Sequence, residues 1–362
     1  LSYITAIETA VPEYCHKQEA ITSFYENSTN DIYLRRKIRA IAHKAEIDSR
    51  YSVLSDYSST PEHFNFFSKN SSLEPEPTLT QRMACFKTEA LKLSLTAIKN
   101  IKYFDLIKES ITHIITVTCT GLFTPGLDVE IIKELNLKAS TQRNSINFMG
   151  CNAAVLALKS ANSICNSIPN SKVLIVCVEL CTIHFQKNYS DDYILSTALF
   201  GDGCAAVLVE SNSSDNLNYK GLQIKSFNSL LIHKGSKEMA WQITEKGFIM
   251  NLTSYISEMI NGSLIEFFSS ILLKKEAINY WAIHPGGKKI LDDFSKTLNI
   301  DKNLLHQSYD VLKKYGNMSS ATVLFVLKQV IESIKHTKKD ETIFMAAFGP
   351  GLSIETVQLQ YV

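Results

Sequence analysis

The chain carries almost no excess of either charge. Its 37 lysines and arginines nearly cancel 36 aspartates and glutamates, leaving a net charge of +1. No bulk field therefore recruits nucleic acid or an anionic membrane surface. It also lacks any apolar run of membrane-spanning length. The eight cysteines, at 15, 85, 119, 151, 165, 177, 181 and 204, are scattered. Cys177 and Cys181 are close together, but no second pair stands at zinc-site distance. They read as reduced thiols of a cytoplasmic protein. At 362 residues a chain can bury roughly 75% of its unfolded surface, so no staple of metal or disulfide is needed. A starting methionine is missing too. Leu1 opens directly into "LSYITAIETAVP", which reads as a strand. The expectation is a domain excised from a longer polypeptide.

What the chain does have is an alternation of helical patterns with buried strands. Residues 16–50 read as amphipathic helix with basic residues, 55–80 as loop, and about 81–100 as a long helix. "THIITVTCTG", "SKVLIVCVELC" and "GDGCAAVLVES" are continuous apolar strands, the pattern of strands covered on both faces. The second half repeats the theme. "AINYWAIHPGG" resembles the first of these and "ETIFMAAFGPG" the second, at nearly the same spacing. A weak internal repeat of one α/β unit follows. The polar stretch "VESNSSDNLN" then divides a half at 1–212 from a half at 213–362.

Chemistry concentrates at three points. Cys151, in "NFMGCNAAVLALKSA", follows a glycine and precedes a helical run with no polar face. A helix N-terminus offers unpaired N–H groups and partial positive charge, which favours a thiolate. His284 ends a buried strand ahead of "PGG", at the strand edge where α/β folds hold ligands. Asn317, in "YGNMSSATVLFVL", occupies in the second copy the place of Cys151 in the first. On residues alone the bland readings stand beside these. A free cysteine is usually a packing residue, and an asparagine ahead of a helix is usually a cap.

"GCNAAVLALKSA", "ALFGDGCAAVLV", "WAIHPGGKKILD", "YGNMSSATVLFVL" and "FGPGL", in this order, resemble the type III polyketide synthases, the relatives of chalcone synthase. The resemblance runs from about residue 1 to the end. Composition and the abrupt start most resemble the C-terminal type III domain of Steely-type hybrids of fatty-acid synthase and polyketide synthase. The resemblance implies a thiolase-like fold: two similar α/β halves in five αβαβα layers. It implies that Cys151 carries the acyl chain as a thioester, that His284 holds it as thiolate, and that His284 and Asn317 stabilise the enolate of decarboxylated malonyl-CoA. No metal, nucleotide or redox cofactor is required.

Further roles follow from the same resemblance. Phe200 matches the gatekeeper between CoA tunnel and cavity, although alone it reads as a core aromatic; Met250 replaces a second gating aromatic. Lys37 and Lys44 match CoA-phosphate contacts, with Arg39 near a position that is Ala40 here, and Gly286 and Gly287 belong to the same region. A basic run is more often a solvated face. Thr124, Pro125, His184, Trp241 and Ser319 match pocket positions. The loop at Thr124–Pro125 is expected to reach toward the cavity of a second subunit, with a cis bond before Pro125. "GDGCAA" approximates a dinucleotide fingerprint, but its glycines precede a strand, so that reading fails. Expected partners are a second copy, acyl-CoA and malonyl-CoA, and an acyl carrier protein domain of the same polypeptide as a source of starter. A slim aliphatic starter would give an alkyl or acyl resorcinol, phloroglucinol or pyrone. The rival readings are a single condensation as in ketoacyl synthase III, a Cys/His thioester hydrolase, and a non-catalytic scaffold.

Overall fold

The computed structural model describes residues 1–211, 221–233, 239–252, 256–271, 274–334 and 340–362, with only the backbone of 250–252 and 256–261. The expected boundary at 212/213 lies outside them, as does the side chain of Met250. The strands are β1 (Ser2–Ala10), β2 (Tyr14–Lys17), β3 (Ser49–Ser52), β4 (His113–Thr118), β5 (Gln142–Asn147), β6 (Lys172–Leu180), β7 (Asp202–Ser211), β8 (Leu222–Leu231), β9 (Met239–Ile243), β10 (Phe248–Leu252), β11 (Tyr280–Ile283), β12 (Glu341–Gly349) and β13 (Ser353–Tyr361). The helices are α1 (Gln18–Asn27), α2 (Ile32–Lys44), α3 (Leu79–Lys99), α4 (Phe104–Ile107), α5 (Leu127–Leu135), α6 (Ala153–Ser167), α7 (Asp191–Leu199), α8 (Ile256–Ser270), α9 (Lys288–Leu298), α10 (His306–Tyr315) and α11 (Thr322–Ser333).

Nine strands form one mixed sheet in the order β11-β12-β13-β8-β1-β7-β6-β4-β5. The sequence of pairings is the same on either side of the β8–β1 junction. From β1 outward it runs antiparallel to β7, antiparallel to β6, then parallel to β4. From β8 outward it runs antiparallel to β13, antiparallel to β12, then parallel to β11.

The apolar strands alternate their side chains between two cores, which is why they read as unbroken hydrophobic runs. Val173, Ile175 and Cys177 of β6 face a core that contains the buried residues of α6 and α11. Leu174, Val176 and Val178 face a second core with α1 and α3. On β12, Ile343, Met345 and Ala347 join the first core, while Phe344, Ala346 and Phe348 join a third with α9. Helix α6 buries one side in that shared core, where Ala153 to Ala161 include six fully buried residues; contrary to the helix without a polar face read from the sequence, it turns Lys159, Ser163, Asn166 and Ser167 to solvent.

Residues 16–50 differ from the single helix expected. Asp31 starts a second helix by accepting the N–H groups of Tyr33 and Leu34 at 2.7 and 3.3 Å, and residues 14–17 and 49–52 pair as a two-stranded sheet. Strand β5, "QRNSIN", was not read as a strand; it is a polar edge strand, largely exposed. No described helix is long and apolar enough to cross a membrane.

Candidate active site

Strands β4, β5 and β6 run parallel, so their carboxyl ends open on one edge. There the chain places Cys119–Thr120, Phe148–Cys151 and Cys181–His184; on the other half, the carboxyl end of β11 places His284 and that of β12 places Pro350. Loops at this edge are where side chains from distant segments can converge.

The turn into α6 needs its glycine. Gly150 has φ +82°, and a Cβ there would stand 1.8 Å from Pro350 Cδ. The neighbouring Asn152 amide donates to Ser353 Oγ at 2.8 Å. "FGPGL" of the second half therefore packs against "GCN" of the first. A second tie joins "GNM" to "LFG". The Asn317 N–H donates to the Leu199 carbonyl at 2.9 Å, and Gly201 N–H donates to the Asn317 carbonyl at 3.0 Å. Phe200 is held between them. Gly316, at φ +70°, has the Leu199 carbonyl 2.6 Å from where a Cβ would be.

These ties bring Cys151 and Asn317 together. Cys151 Sγ lies 3.9 Å from Asn317 Oδ1 and 3.7 Å from Ser319 Oγ. The Asn317 amide is oriented by its partners. Its Oδ1 accepts the Ser319 N–H at 2.8 Å, and its Nδ2 donates to the Gly286 carbonyl at 3.3 Å. One N–H of that amide remains for a substrate. A Cβ on Gly286 would sit 3.8 Å from His284 Nε2, so the same amide reaches the histidine's neighbourhood. Both ring nitrogens of His284 are buried without a hydrogen-bond partner. Gly287 precedes the first turn of α9.

Burial disfavours charge on both Cys151 and His284. Burial pushes the Cys151 thiol up to about 12, against weaker help from Ser319 and Asn317. Burial pushes His284 down to about 3. The helix terminus predicted to favour a thiolate is outweighed by desolvation.

Trp241 and His184 do enter the cavity. The void beside Gly150 and Ser319 is bounded by Cys119, Cys181, Phe200 and Trp241, and its free volume is about 10 Å³, room for one water at most. A second void of about 50 Å³ continues past Trp241, Phe200 and Cys181 toward Tyr57 and Tyr193. His184 Nδ1 accepts the Phe248 N–H at 3.1 Å, which puts its proton on Nε2, donated to the Thr120 carbonyl at 2.7 Å. Its ring stacks on Phe248 at 4.3 Å with Trp241 edge-on at 6.2 Å. Burial lowers His184 to about 3 as well.

Other predicted residues lie elsewhere. Thr124 and Pro125, joined by a cis bond, line a separate cleft beside β5 with Phe123 and Arg143; within one chain they do not meet Cys151. Lys37 pairs with Asp191 and donates to the Tyr189 carbonyl at 3.0 Å. Arg39 forms a two-pronged pair with Glu26, at 2.9 and 2.7 Å. Lys44 is exposed at the end of α2. Met250 is placed only by its backbone, opposite Trp241 in register.

Sequence reading missed Glu179, Cys119 and Cys181. Glu179 is a fully buried carboxyl held by Cys119 N–H at 2.9 Å, Thr120 Oγ1 at 2.9 Å and Ser320 Oγ at 2.6 Å. Burial raises it above the ordinary carboxyl range. The available signal was a lone acid inside "VLIVCVELC".

Known proteins share this arrangement of the chain. Residues 1–213 match the chalcone and stilbene synthases, N-terminal domain, and residues 223–362 match the C-terminal domain of the same group. The alpha-pyrone synthesis polyketide synthase-like Pks18 of Mycobacterium tuberculosis (strain CDC 1551 / Oshkosh) is 34% identical over 286 residues, covering 77% of this chain and 72% of that protein. The crystal structure of PKS-I from the brown alga Ectocarpus siliculosus aligns at a TM-score of 0.92 and 25% identity, over 100% of this chain and 98% of that one. The C-terminal type III domain of Steely1, a type I/III hybrid from Dictyostelium, aligns at 0.90 and 26%, over 100% and 99%. A type III pentaketide synthase from Neurospora crassa shares the fold at 0.87 and 21% identity, over the whole of both chains. The hydrolase and scaffold readings fall with these matches: the chain belongs to the chalcone and stilbene synthase family, and is a type III polyketide synthase, a condensing acyltransferase.

Proposed function

We propose that the chain loads an acyl starter on Cys151 and extends it with several malonyl-CoA units by decarboxylative Claisen condensation. The observation that carries this is the meeting of the Cys151 thiol with an oriented Asn317 amide, beside the partnerless His284 ring. Cys151 attacks the incoming thioester as its proton passes to His284; the bond to the carrier sulfur breaks, and the departing thiolate takes that proton back, so charge develops only during the reaction. The malonyl thioester carbonyl then takes the free N–H of Asn317 and a ring N–H of His284. Decarboxylation gives an enolate stabilised by those donors. The enolate carbon attacks the Cys151 thioester, the new C–C bond forms, and the thiolate leaves to be reloaded.

The narrow void favours a slim aliphatic starter. The alpha-pyrone name of Pks18 favours a pyrone over a resorcinol or phloroglucinol product. Two of the three basic side chains expected to clamp CoA, Lys37 and Arg39, are engaged by Asp191 and Glu26, which suits a starter delivered by a carrier protein. The matching pairings on both sides of β8–β1 support two duplicated halves, divided near 212/213, in a five-layered αβαβα thiolase fold. The free edge at β5 supports a homodimer. Incubation with acyl-CoAs of graded length plus malonyl-CoA, with products read by mass, tests the reading. Expected masses rise by successive ketide units; a free acid or a single extension overturns it.

A further inference from the structure

Two further thiols stand near the nucleophile. Cys119 and Cys181 both line the void beside Gly150, the residue that precedes Cys151. Condensation needs one thiol, so two are left unexplained. Cys119 is the better connected. Its sulfur accepts the Gly150 N–H at 3.0 Å, and Gly150 is peptide-bonded to Cys151. The Ser319 hydroxyl lies 3.7 Å from Cys151 Sγ, and Ser319 lines the same void as Cys119. The two cysteines follow neighbouring strands. Phe148 N–H donates to the Thr118 carbonyl at 3.2 Å, continuing the β4–β5 ladder, so Cys119 stands level with the start of the turn that carries Gly150 and Cys151. Cys181 makes no hydrogen bond to the Cys151 turn among those described.

We propose that Cys119 is a resolving thiol for Cys151, so that oxidation of the nucleophile by a peroxide ends in a reversible Cys119–Cys151 disulfide. The chemistry balances. The Cys151 thiol gives its proton to His284, and its sulfur attacks one peroxide oxygen. The S–O bond forms as the O–O bond breaks, and the departing hydroxide takes the proton as water. Cys119 then attacks the sulfenic sulfur. The S–S bond forms, the S–O bond breaks, and the Cys119 proton leaves with the hydroxyl as a second water. Two thiols lose two electrons in all, and peroxide becomes two waters. A void the size of a water molecule admits a small oxidant more readily than a bulky external thiol. An internal partner is therefore the one placed to intercept the sulfenic acid before it is oxidised further.

The inference rests on Cys151 being the reactive thiol, but its readout is a covalent bond and is separate from condensation. Trypsin leaves Cys119 on residues 109–133, Cys151 on 144–159 and Cys181 on 173–187. The reduced protein is treated with hydrogen peroxide, capped with an alkylating agent, digested and mapped by mass. Expected is a cross-link between 109–133 and 144–159, with activity lost and then restored by dithiothreitol. In Cys119→Ser the cross-link disappears, Cys151 advances to sulfinic acid, and dithiothreitol restores nothing. Cys181→Ser should behave as the parent. A cross-link to 173–187, or sulfinic acid forming in the parent as fast as in Cys119→Ser, overturns the proposal. The mapping of the parent protein decides it even where a variant fails to fold.

Discussion

Trp241 donates its indole N–H to the main-chain carbonyl of Cys119 at 2.6 Å. That bond lays a strand β9 side chain against the loop after β4, between the two voids of the site. An indole carries about 150–250 Å² of surface, which accounts for the little free space in the void beside Gly150. Trp241→Gly should join the two voids into one. Assayed with hexanoyl-CoA and coumaroyl-CoA, the variant should shift preference toward the larger starter by roughly tenfold or more, or lengthen the product. Unchanged preference together with unchanged product mass would show that the ring does not set the cavity.

The roles of Cys151 and Asn317 separate in partial reactions. Cys151→Ala removes the acyl carrier but leaves both enolate donors, so acyl loading should vanish while malonyl-CoA decarboxylation persists. Asn317→Ala removes one donor aimed at the developing oxyanion. Decarboxylation should fall by roughly 10²–10³ while loading of Cys151 continues. Radiolabelled acyl transfer and carbon dioxide release measure the two steps. Equal loss of both in both variants would defeat the division.

Much of this was legible because burial leaves a strong mark on sequence. Strands β6 and β12 had to read as continuous apolar runs, since each feeds two cores. Cys151, His284 and Asn317 stood out as polar residues at the ends of such elements. Strand β5 was silent because an edge strand with one neighbour has little core to face, and "QRNSIN" carries no alternation. Cys119, Cys181 and Glu179 were silent for another reason. Each is ordinary in its own segment, and their significance arises only where β4, β6 and the loop at 317–320 meet. The partner of Arg39 was silent in the same way: Glu26, on the neighbouring helix, pairs with it, which no local pattern reveals. A helix terminus contributes only about 0.3–1 kcal/mol toward a thiolate and complete burial opposes it, so a thiolate at Cys151 depends on His284 taking its proton.

The edge at β5 predicts assembly. Among the described residues its strand faces no neighbour beyond β4, and the loops at the same end expose Leu122 and Met149, at 41% and 48%. Bare edges and apolar loop tips invite a second copy. Sedimentation equilibrium should give twice the chain mass of 40.6 kDa at micromolar concentration. A mass of one chain at all concentrations would refute it.

His184 carries the last prediction, on acid stability. It is buried with one ring nitrogen accepting from Phe248 and the other donating to Thr120, so folding requires the neutral ring. Burial lowers its folded pKa to about 3, against 6.5 for a free histidine. Between those values the unfolded chain binds the proton and the native chain does not. Its contribution is therefore present above pH 6.5 and lost progressively as pH falls toward 3. At pH 5 the loss is about 2 kcal/mol. Other buried groups act in the same range: His284 with the same sign, Asp202, raised to about 6 by burial, with the opposite one. A difference measurement isolates His184. His184→Gln should be less stable than the parent at pH 7.5, because it gives up the paired hydrogen bonds and the stack on Phe248. It escapes the acid penalty, so the gap in denaturant stability should narrow by about 2 kcal/mol on going to pH 5. A gap independent of pH would mean that the folded protein accommodates a charged His184, and that the ring is not locked between Phe248 and Thr120.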